Sequence, residues 1–214
     1  MRGRLIVFEG VEGSGKTTQI QYFRAWLHQN YPHLPVVVTR EPGGTEMGKH
    51  LRSLLLSNSA FQIANSAELL LYAADRAQHV EQVLQPAKAQ GALILCDRYV
   101  DSTIAYQGYG RGLDRQLIEQ LNAIATNGLV SDLTFWLDVD VEVGLSRAKK
   151  RGEATDRIEQ ETLAFHRRVS QGFAELADSH PQRMIRIDAN LPPAAVSAEI
   201  QAVLTLKLAD WGKQ

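Results

Sequence analysis

The chain has 214 residues, of which 44% are hydrophobic, enough for one α/β domain with a full core but hardly for two. The formal net charge is −1, so no basic surplus favours nucleic acid or an anionic membrane as a partner. The apolar run at residues 5–8 is too short for a signal peptide, and no other run reaches membrane-spanning length. The single cysteine, Cys96, lies in an apolar run and cannot form an internal disulfide. We therefore expect a single domain over residues 1–214, located in the cytoplasm.

Short apolar or β-branched runs alternate with longer helical patterns along the chain. The predicted strands are residues 5–9, 36–40, 92–97, 133–138 and 184–188. Helices are predicted to begin near Lys16, Thr45, Ser66, Asp114, Val141, Ile158 and Pro192. The glycine-rich stretch 108–112 is the most loop-like segment. This alternation predicts an α/β fold with a five-stranded parallel sheet between helices, in which ligands gather at the carboxyl ends of the strands.

The first predicted strand leads directly into a phosphate-binding motif. Residues 10–17 read Gly-Val-Glu-Gly-Ser-Gly-Lys-Thr and fit G-x-x-x-x-G-K-[ST] between a strand and a helix. The glycines let backbone N–H groups converge on phosphate oxygens, Lys16 adds a positive charge, and the Thr17 hydroxyl can ligate Mg²⁺. The motif predicts that ATP, or less readily GTP, binds to Gly10, Val11, Glu12, Gly13, Ser14, Gly15, Lys16, Thr17 and Thr18.

Arginines follow the next two predicted strands. Arg40 ends the second strand and Arg98 the third, so both should reach the rim that carries the phosphate-binding loop. Arg147 and Arg151 share a helix face at i, i+4, and Arg157 follows in a polar loop. Any one of them could be an ordinary solvated side chain. Together they are suited to a monophosphate acceptor, which is already ionised and needs charge neutralisation more than a general base.

Several segments together resemble bacterial thymidylate kinases over nearly the whole chain. They are residues 8–18, which begin Phe-Glu-Gly, Thr-Arg-Glu-Pro-Gly-Gly-Thr at 39–45, Asp-Arg-Tyr at 97–99, and Arg-Gly at 151–152 with Asp-Arg-Ile-Glu at 156–159. The segment at 39–45 is the most specific of these. The resemblance implies the three-layer P-loop NTPase fold of nucleoside monophosphate kinases. It also implies transfer of the γ-phosphoryl group of MgATP to dTMP, giving dTDP and ADP, by a homodimer.

The resemblance also assigns roles to residues. It implies that Arg40 and Arg98 hold the dTMP phosphate and that Glu12 faces the sugar 3′-hydroxyl. Tyr72 and Arg76, which the i, i+4 spacing places on one helix face, would contact thymine. The implied dTMP site is Glu12, Arg40, Tyr72, Arg76, Arg98, Thr103, Tyr106 and Gln107, and the implied metal site is Thr17 and Asp97.

Family members place a catalytic arginine either in the phosphate-binding loop or in a mobile lid. Position 14 is serine here, and no arginine lies between Gly10 and Lys16. The resemblance therefore implies that the transition-state charge falls to the lid, around residues 147–160. The implied catalytic residues are Lys16, Arg98, Arg147, Arg151 and Arg157, and which lid arginine reaches the γ-phosphate stays open.

Other functions remain possible at this point. A GTPase switch is disfavoured because the chain has neither an N-K-x-D nor a D-x-x-G motif. A deoxynucleoside kinase would need a base for a neutral hydroxyl, which the phosphate-facing arginines do not supply. A kinase for another monophosphate and an ATP-binding protein without turnover are the remaining alternatives.

Overall fold

The computed structural model describes residues 2–58, 62–150 and 155–212. Its described part contains one five-stranded parallel sheet in the order β2-β3-β1-β4-β5. The strands are β1 (Arg4–Glu9), β2 (Val36–Arg40), β3 (Leu93–Asp97), β4 (Leu133–Asp138) and β5 (Met184–Asp188). The predicted α/β class and five parallel strands are confirmed, and no predicted strand end is more than one residue off.

Helices connect the strands. They are α1 (Lys16–Asn30), α2 (Glu46–Leu56), α3 (Asn65–His79), α4 (Gln85–Ala89), α5 (Val100–Thr103), α6 (Arg115–Thr126), α7 (Val141–Lys149), α8 (Leu163–Ser179) and α9 (Pro193–Trp211). Two π-helical segments, Val80–Leu84 and Ile104–Gly110, continue α3 and α5 without a break. Among the described residues, no helix is both long and apolar enough to cross a membrane.

The two faces of β1 belong to two separate apolar clusters. Ile6 and Phe8 pack in the cluster that contains Phe23 of α1. Leu5 and Val7 point the other way, into the cluster that contains the buried side chains of Val80–Leu84. Because both faces of β1 are buried, its residues form a continuous apolar run, and this run identified the strand in the sequence.

Two predicted elements differ from the structure. The helix predicted near Ile158 begins at Leu163, because the Asp156 side chain accepts hydrogen bonds from the Ile158 and Glu159 amides and holds a turn there. Thr162 then caps α8 by accepting from the Phe165 amide at 3.2 Å.

The stretch 108–112 is not simply a loop, because its first three residues belong to the π-helical segment Ile104–Gly110. A Cβ on Gly110 would lie 2.6 Å from the Phe165 ring of α8. The glycine there serves close packing between two helical segments, which a reading of glycine as a loop residue overlooks.

The carboxyl ends of three neighbouring strands meet at one edge of the sheet. Asp97 is in register with Phe8 of β1 on one side and with Arg40 of β2 on the other. The segments that follow these strands therefore start side by side, as the sequence predicted for a site at this edge.

Candidate active site

The loop between β1 and α1 is shaped to receive phosphate groups. Gly10, Gly13 and Gly15 have positive φ angles of 142°, 69° and 93°, a backbone region that favours glycine. A Cβ on Gly13 would also lie 1.9 Å from the Gly144 carbonyl oxygen of α7, so this position has no room for a side chain. The first turn of α1 contains no acidic residue, which leaves its positive dipole end available to an anion.

Lys16 is folded back onto this loop. Its Nζ donates to the carbonyl oxygens of Gly10 and Val11 at 2.9 and 3.0 Å and to Ser14 Oγ at 3.2 Å. Burial, followed by the nearby charge of Arg98, lowers the pKa of Lys16 to about 8. A bound phosphate would supply negative charge beside the ammonium and favour its protonated form.

Thr17 and Asp97 form the oxygen pair that was predicted to hold a metal. Thr17 Oγ1 lies 3.4 Å from Asp97 Oδ2 at the start of α1. In the described ranges no group of three or more His, Cys, Asp or Glu side chains could hold a metal ion by itself. One hydroxyl and one carboxylate fit Mg²⁺, which proteins bind through one or two carboxylates together with substrate phosphates and water.

Arg98 connects the phosphate-binding loop with the next binding region. It has a positive φ of 70°, a conformation that is unfavourable for a residue other than glycine. Its guanidinium donates to the Gly10 carbonyl oxygen at 2.9 Å, to Ser102 Oγ at 3.2 Å and to Glu12 Oε1 at 2.8 Å. It also lies over the Tyr106 ring, 4.9 Å from the centroid. The guanidinium is thus fixed between the two halves of the site.

The Glu12 carboxylate lies at the centre of this group. Its two oxygens are 2.8 and 2.7 Å from the Tyr106 hydroxyl, which donates to them. Burial alone would raise the pKa of Glu12, but the charges of Arg98 and Lys16 outweigh burial and hold it below its ordinary value. Glu12 is therefore an ionised acceptor inside the site.

Arg76 occupies a fully buried network deeper in the site. Its Nε donates to Glu41 Oε2 at 2.8 Å, its Nη1 to Thr103 and Asn122, and its Nη2 to the Tyr99 carbonyl oxygen at 2.9 Å. These bonds use four of the five donors that an arginine has, so one Nη2 proton is left for a ligand. The guanidinium cannot change direction without breaking the network.

The Thr-Arg-Glu-Pro-Gly-Gly-Thr segment at 39–45 is held in place by side chains of α3. His79 lies between Thr39 Oγ1, at 2.6 Å, and Glu41 Oε1, at 2.8 Å. A Cβ on Gly44 would lie 2.5 Å from the His79 ring, so the close approach requires glycine. The Gly43 amide donates to Asp75 Oδ1 at 3.0 Å, and burial, followed by the charge of Glu41, raises the pKa of Asp75 to about 6. The peptide bond between Glu41 and Pro42 is cis.

A cavity of about 890 Å³ joins these regions. It is within the size range of small-molecule sites. It brings together every residue that was predicted to bind dTMP, namely Glu12, Arg40, Tyr72, Arg76, Arg98, Thr103, Tyr106 and Gln107. It is also lined by Asp97, by Arg147 and by residues 13–18 of the phosphate-binding loop.

Comparison with known proteins identifies the family. The sequence profile described as Thymidylate kinase matches residues 8–200. The chain is 63% identical to "Thymidylate kinase" of Nostoc punctiforme over 209 residues, which covers 97% of this chain and 98% of that protein. It is 54% identical to "Thymidylate kinase" of Gloeobacter violaceus over 204 residues, covering 95% of each.

The fold agrees with this assignment. A crystal structure of thymidylate kinase from Ehrlichia chaffeensis is 34% identical and matches with a TM-score of 0.78, covering 95% of this chain and 100% of that chain. The chain belongs to the thymidylate kinase family. Thymidylate kinases transfer the γ-phosphoryl group of ATP to dTMP, and this is the reaction of the chain.

Three arginines were predicted to act from a lid, and two of them, Arg147 and Arg157, lie in different places in the structure. Arg147 is exposed, lines the cavity and donates to the Ala189 carbonyl oxygen at 2.9 Å. Arg157 does not line the cavity; it donates to the Leu55 carbonyl oxygen at 2.9 Å and pairs with Glu68. Arg151 lies outside the described residues. The catalytic role of each of the three stays a prediction.

Two parts of the cavity were missed by the sequence analysis. Arg52 of α2 lies beside Arg40 and donates to the Pro42 carbonyl oxygen at 3.0 Å. Its spacing of four residues from the buried Gly48 was a signal that could have placed it on the inner face of α2. At the other end, Ala189, Leu191, Pro193 and Val196 line the cavity next to Arg147, and no motif marked them.

Proposed function

We propose how this thymidylate kinase holds its two substrates. Arg98 carries the proposal, because its guanidinium contacts Gly10 and Glu12 of the phosphate-binding loop on one side and lies over the Tyr106 ring on the other. A group fixed between the two halves can contact the phosphate of the acceptor where it meets the γ-phosphate of the donor. The position of Arg98 therefore sets where phosphoryl transfer takes place.

In this proposal dTMP fills the part of the cavity between α2, α3 and the segment Ile104–Gly110. Arg40 and Arg98 hold its phosphate, Glu12 accepts a hydrogen bond from the 3′-hydroxyl, and Tyr106 lies against the sugar. Thymine stacks on Tyr72, and the remaining Nη2 proton of Arg76 reaches its O4. Thr103 and Gln107 complete the pyrimidine edge. Both are buried, and Gln107 Nε2 is held by Glu68 at 2.8 Å.

ATP fills the other part of the cavity, with its phosphates in residues 10–18. The base lies at the end formed by Arg147, Leu191, Pro193 and Val196, where apolar side chains and a guanidinium can cover its two faces. Thr17 and Asp97 would hold Mg²⁺, which when bound neutralises charge on the β- and γ-phosphates.

The chain contributes positioning and charge to the reaction. The dTMP phosphate is ionised at neutral pH, so its oxygen can attack the γ-phosphorus without a general base. Lys16 and Arg98 offset the repulsion between the two anions and the charge on the transferring group. The lid predicted around residues 147–160 excludes water when it closes, and its arginines add to this charge.

The test is an assay of ADP release with MgATP and each of dTMP, dUMP, CMP, UMP, AMP and thymidine. We expect dTMP to be the preferred acceptor. We expect turnover of dUMP with kcat/KM about 10–200-fold lower, since one methyl group in an apolar pocket discriminates only to this extent. Turnover should disappear without Mg²⁺ and return when it is added. If CMP or AMP were as good as dTMP, the proposed acceptor site would be wrong.

The same chain is proposed to act as a homodimer. Four large apolar side chains are exposed on α2, α3 and α6, and α3 contacts both other helices. They are Met47, Leu70, Leu117 and Ile124, the last with 77% of its surface exposed. Exposed apolar side chains gathered on adjacent helices are typical of an interface. Light scattering should give twice the chain mass, and Leu70→Glu should give the monomer; a monomeric wild type would contradict the proposal.

A cytoplasmic location is also proposed. Cys96 is a buried free thiol that donates to the Arg98 carbonyl oxygen at 3.1 Å. A protein with one such thiol and no disulfide among its described residues fits a reducing compartment. Fractionation of the source cells should find the protein with the cytoplasmic enzymes, and recovery from a secreted fraction would contradict the proposal.

A further inference from the structure

His166 of α8 is a buried polar side chain that the mechanism above does not use. None of its surface is exposed, and neither ring nitrogen has a hydrogen-bond partner among the described residues. Leaving such a donor and acceptor unpaired destabilises the folded state. A buried imidazole of this kind therefore needs a reason other than stability.

Packing does not supply that reason. His166 lies edge-on to the Phe165 ring, with centroids 5.4 Å apart, on the helix that packs against the segment Ile104–Gly110. Phe165, Val169 and Phe173 of the same helix are all buried in the apolar cluster. An apolar side chain would fill the position of His166 without leaving polar atoms unpaired.

The ring points to the centre of the active site. His166 Nδ1 lies 3.7 Å from Glu12 Oε2. A shift of about 0.5 Å would bring the pair into hydrogen-bond range. Glu12 Oε1 accepts from both Arg98 and Tyr106, whereas Oε2 accepts from Tyr106 alone. The oxygen with spare acceptor capacity is thus the one that faces His166.

The hydrogen bonds of Glu12 leave its orientation underdetermined. Tyr106 has one hydroxyl proton for two carboxylate oxygens, so the carboxylate can turn about this contact while Arg98 fixes only Oε1. A third donor at Oε2 would fix the plane of the carboxylate. His166 is placed on α8 to be that donor.

We propose that His166 is a positioning residue for the acceptor: its Nδ1–H holds Glu12 in the orientation in which the carboxylate accepts the sugar 3′-hydroxyl of dTMP. The proposal rests on the proposed function, because the contact between Glu12 and the sugar is part of it. His166 touches neither substrate and acts only through Glu12. Its effect should therefore appear with acceptors that carry the 3′-hydroxyl and be absent with acceptors that lack it.

The experiment compares dTMP with its 3′-deoxy analogue under saturating MgATP. In His166→Leu we expect the KM for dTMP to rise about tenfold, the size of effect of one hydrogen bond to a charged group. We expect kcat to change by less than about twofold and the KM for the 3′-deoxy analogue to stay as in the wild type. His166→Asn, whose amide N–H can replace Nδ1–H, should recover most of the preference for dTMP.

Leu176→Ala is the matched control for a disturbed α8, because Leu176 is buried on the same helix. It should lower the Tm and leave the ratio of the two KM values unchanged. If His166→Leu does not fold, His166→Gln replaces it: its longer amide reaches the position of Nε2, so it should lose the preference that His166→Asn keeps. Equal KM changes for both acceptors, or no change, would overturn the proposal.

Glu12→Gln separates this proposal from the proposed function. If Glu12→Gln leaves the preference for dTMP over the 3′-deoxy analogue intact, Glu12 does not bind the 3′-hydroxyl. Both the proposed sugar contact and the proposed role of His166 are then wrong. If Glu12→Gln removes the preference and His166→Leu does not, only the role of His166 fails. If both remove it, the double variant should show no additional loss, as expected for residues that act through one contact.

Discussion

Arg76 and three other arginines line the same cavity and are held in opposite ways. Arg76 belongs to the inner wall, in which Glu41, Arg76 and Thr103 line the cavity and His79 and Asn122 lie behind them. All five side chains are buried and joined by side-chain hydrogen bonds. The rim, formed by Arg40, Arg52 and Arg147, is exposed or half-buried, and none of its three guanidiniums forms an ion pair with a described residue. The same side chain is thus a structural element in one place and an available charge in the other.

The difference agrees with what each region is proposed to contact. A neutral pyrimidine base is recognised by fixed donors and acceptors, so an inner wall that cannot move favours specificity. The rim arginines have no negatively charged partner among the described residues, and a phosphate would supply one. Arg52 is half-buried, and burial, followed by repulsion from the charges of Arg40 and Arg98, lowers its pKa. A bound anion relieves that repulsion. We infer that the inner wall is complete before substrate binds, whereas the rim is completed by the substrate.

The largest effect should come from breaking the inner wall. Arg76→Met leaves the Glu41 carboxylate buried with His79 as its remaining partner and removes the donors to Thr103 and Asn122. We expect a loss of about 3–5 kcal/mol in the free energy of unfolding, because an uncompensated charge stays buried. Urea unfolding measures it.

The control for this loss is the same substitution at the rim. Arg40 is exposed, so Arg40→Met should change the free energy of unfolding by less than about 0.5 kcal/mol. A loss below about 1 kcal/mol in Arg76→Met would show that the inner wall relaxes around the gap, and the contrast between the two regions would fail.

At the rim the effect should appear in binding. Arg40→Met should raise the KM for dTMP by about 10–100-fold, as expected for one charged hydrogen bond to a phosphate, with the Tm unchanged. Steady-state kinetics measure it. Arg24→Met, at an exposed position of α1 that does not line the cavity, is the matched control. A fall in Tm without a change in KM would place Arg40 among the structural arginines.

The sequence was sufficient for the sheet and for two of the three rim arginines, Arg40 and Arg147, whereas Arg52 was missed. Strands β1 and β3 are buried apolar runs. The phosphate-binding loop follows β1 and Arg98 follows β3, and the two lie at one edge of the sheet because parallel strands end together. Arg40 could be placed for the same reason. These inferences needed only local patterns and one rule of topology.

The inner wall could not be derived in this way. Arg76 was singled out by its spacing from Tyr72, but its partner Asn122 is 46 residues away, on a helix whose contact face no motif indicates. Likewise, nothing in the sequence placed His166 beside Glu12, because that approach depends on how α8 packs on the segment Ile104–Gly110. The lid role of Arg157 stays a prediction, and its pairing with Glu68 could not be derived because it depends on the fold of α3.

The smallest effect tests the support beneath the inner wall. Burial, followed by the charge of Glu41, raises the pKa of Asp75 from 3.8 to about 6. Between these values the folded chain binds more protons at Asp75 than the unfolded chain, so this carboxyl lowers stability as pH rises from about 4 to 6. An asparagine side chain at the same position would keep an oxygen for the Gly43 amide and would not titrate.

Asp75→Asn should therefore gain stability relative to the wild type as the pH rises, by about 1–3 kcal/mol between pH 4 and pH 7, the size expected when folding raises a pKa from 3.8 to about 6. Urea unfolding at both pH values measures the difference, and Asp178→Asn at an exposed position of α8 controls for the loss of one negative charge. If Asp75→Asn and the wild type differed in free energy of unfolding by the same amount at both pH values, Asp75 would be as well solvated as a rim residue. The inner wall would then extend only to Glu41 and His79, and the turn at Gly43 would belong with the part of the site that the substrate completes.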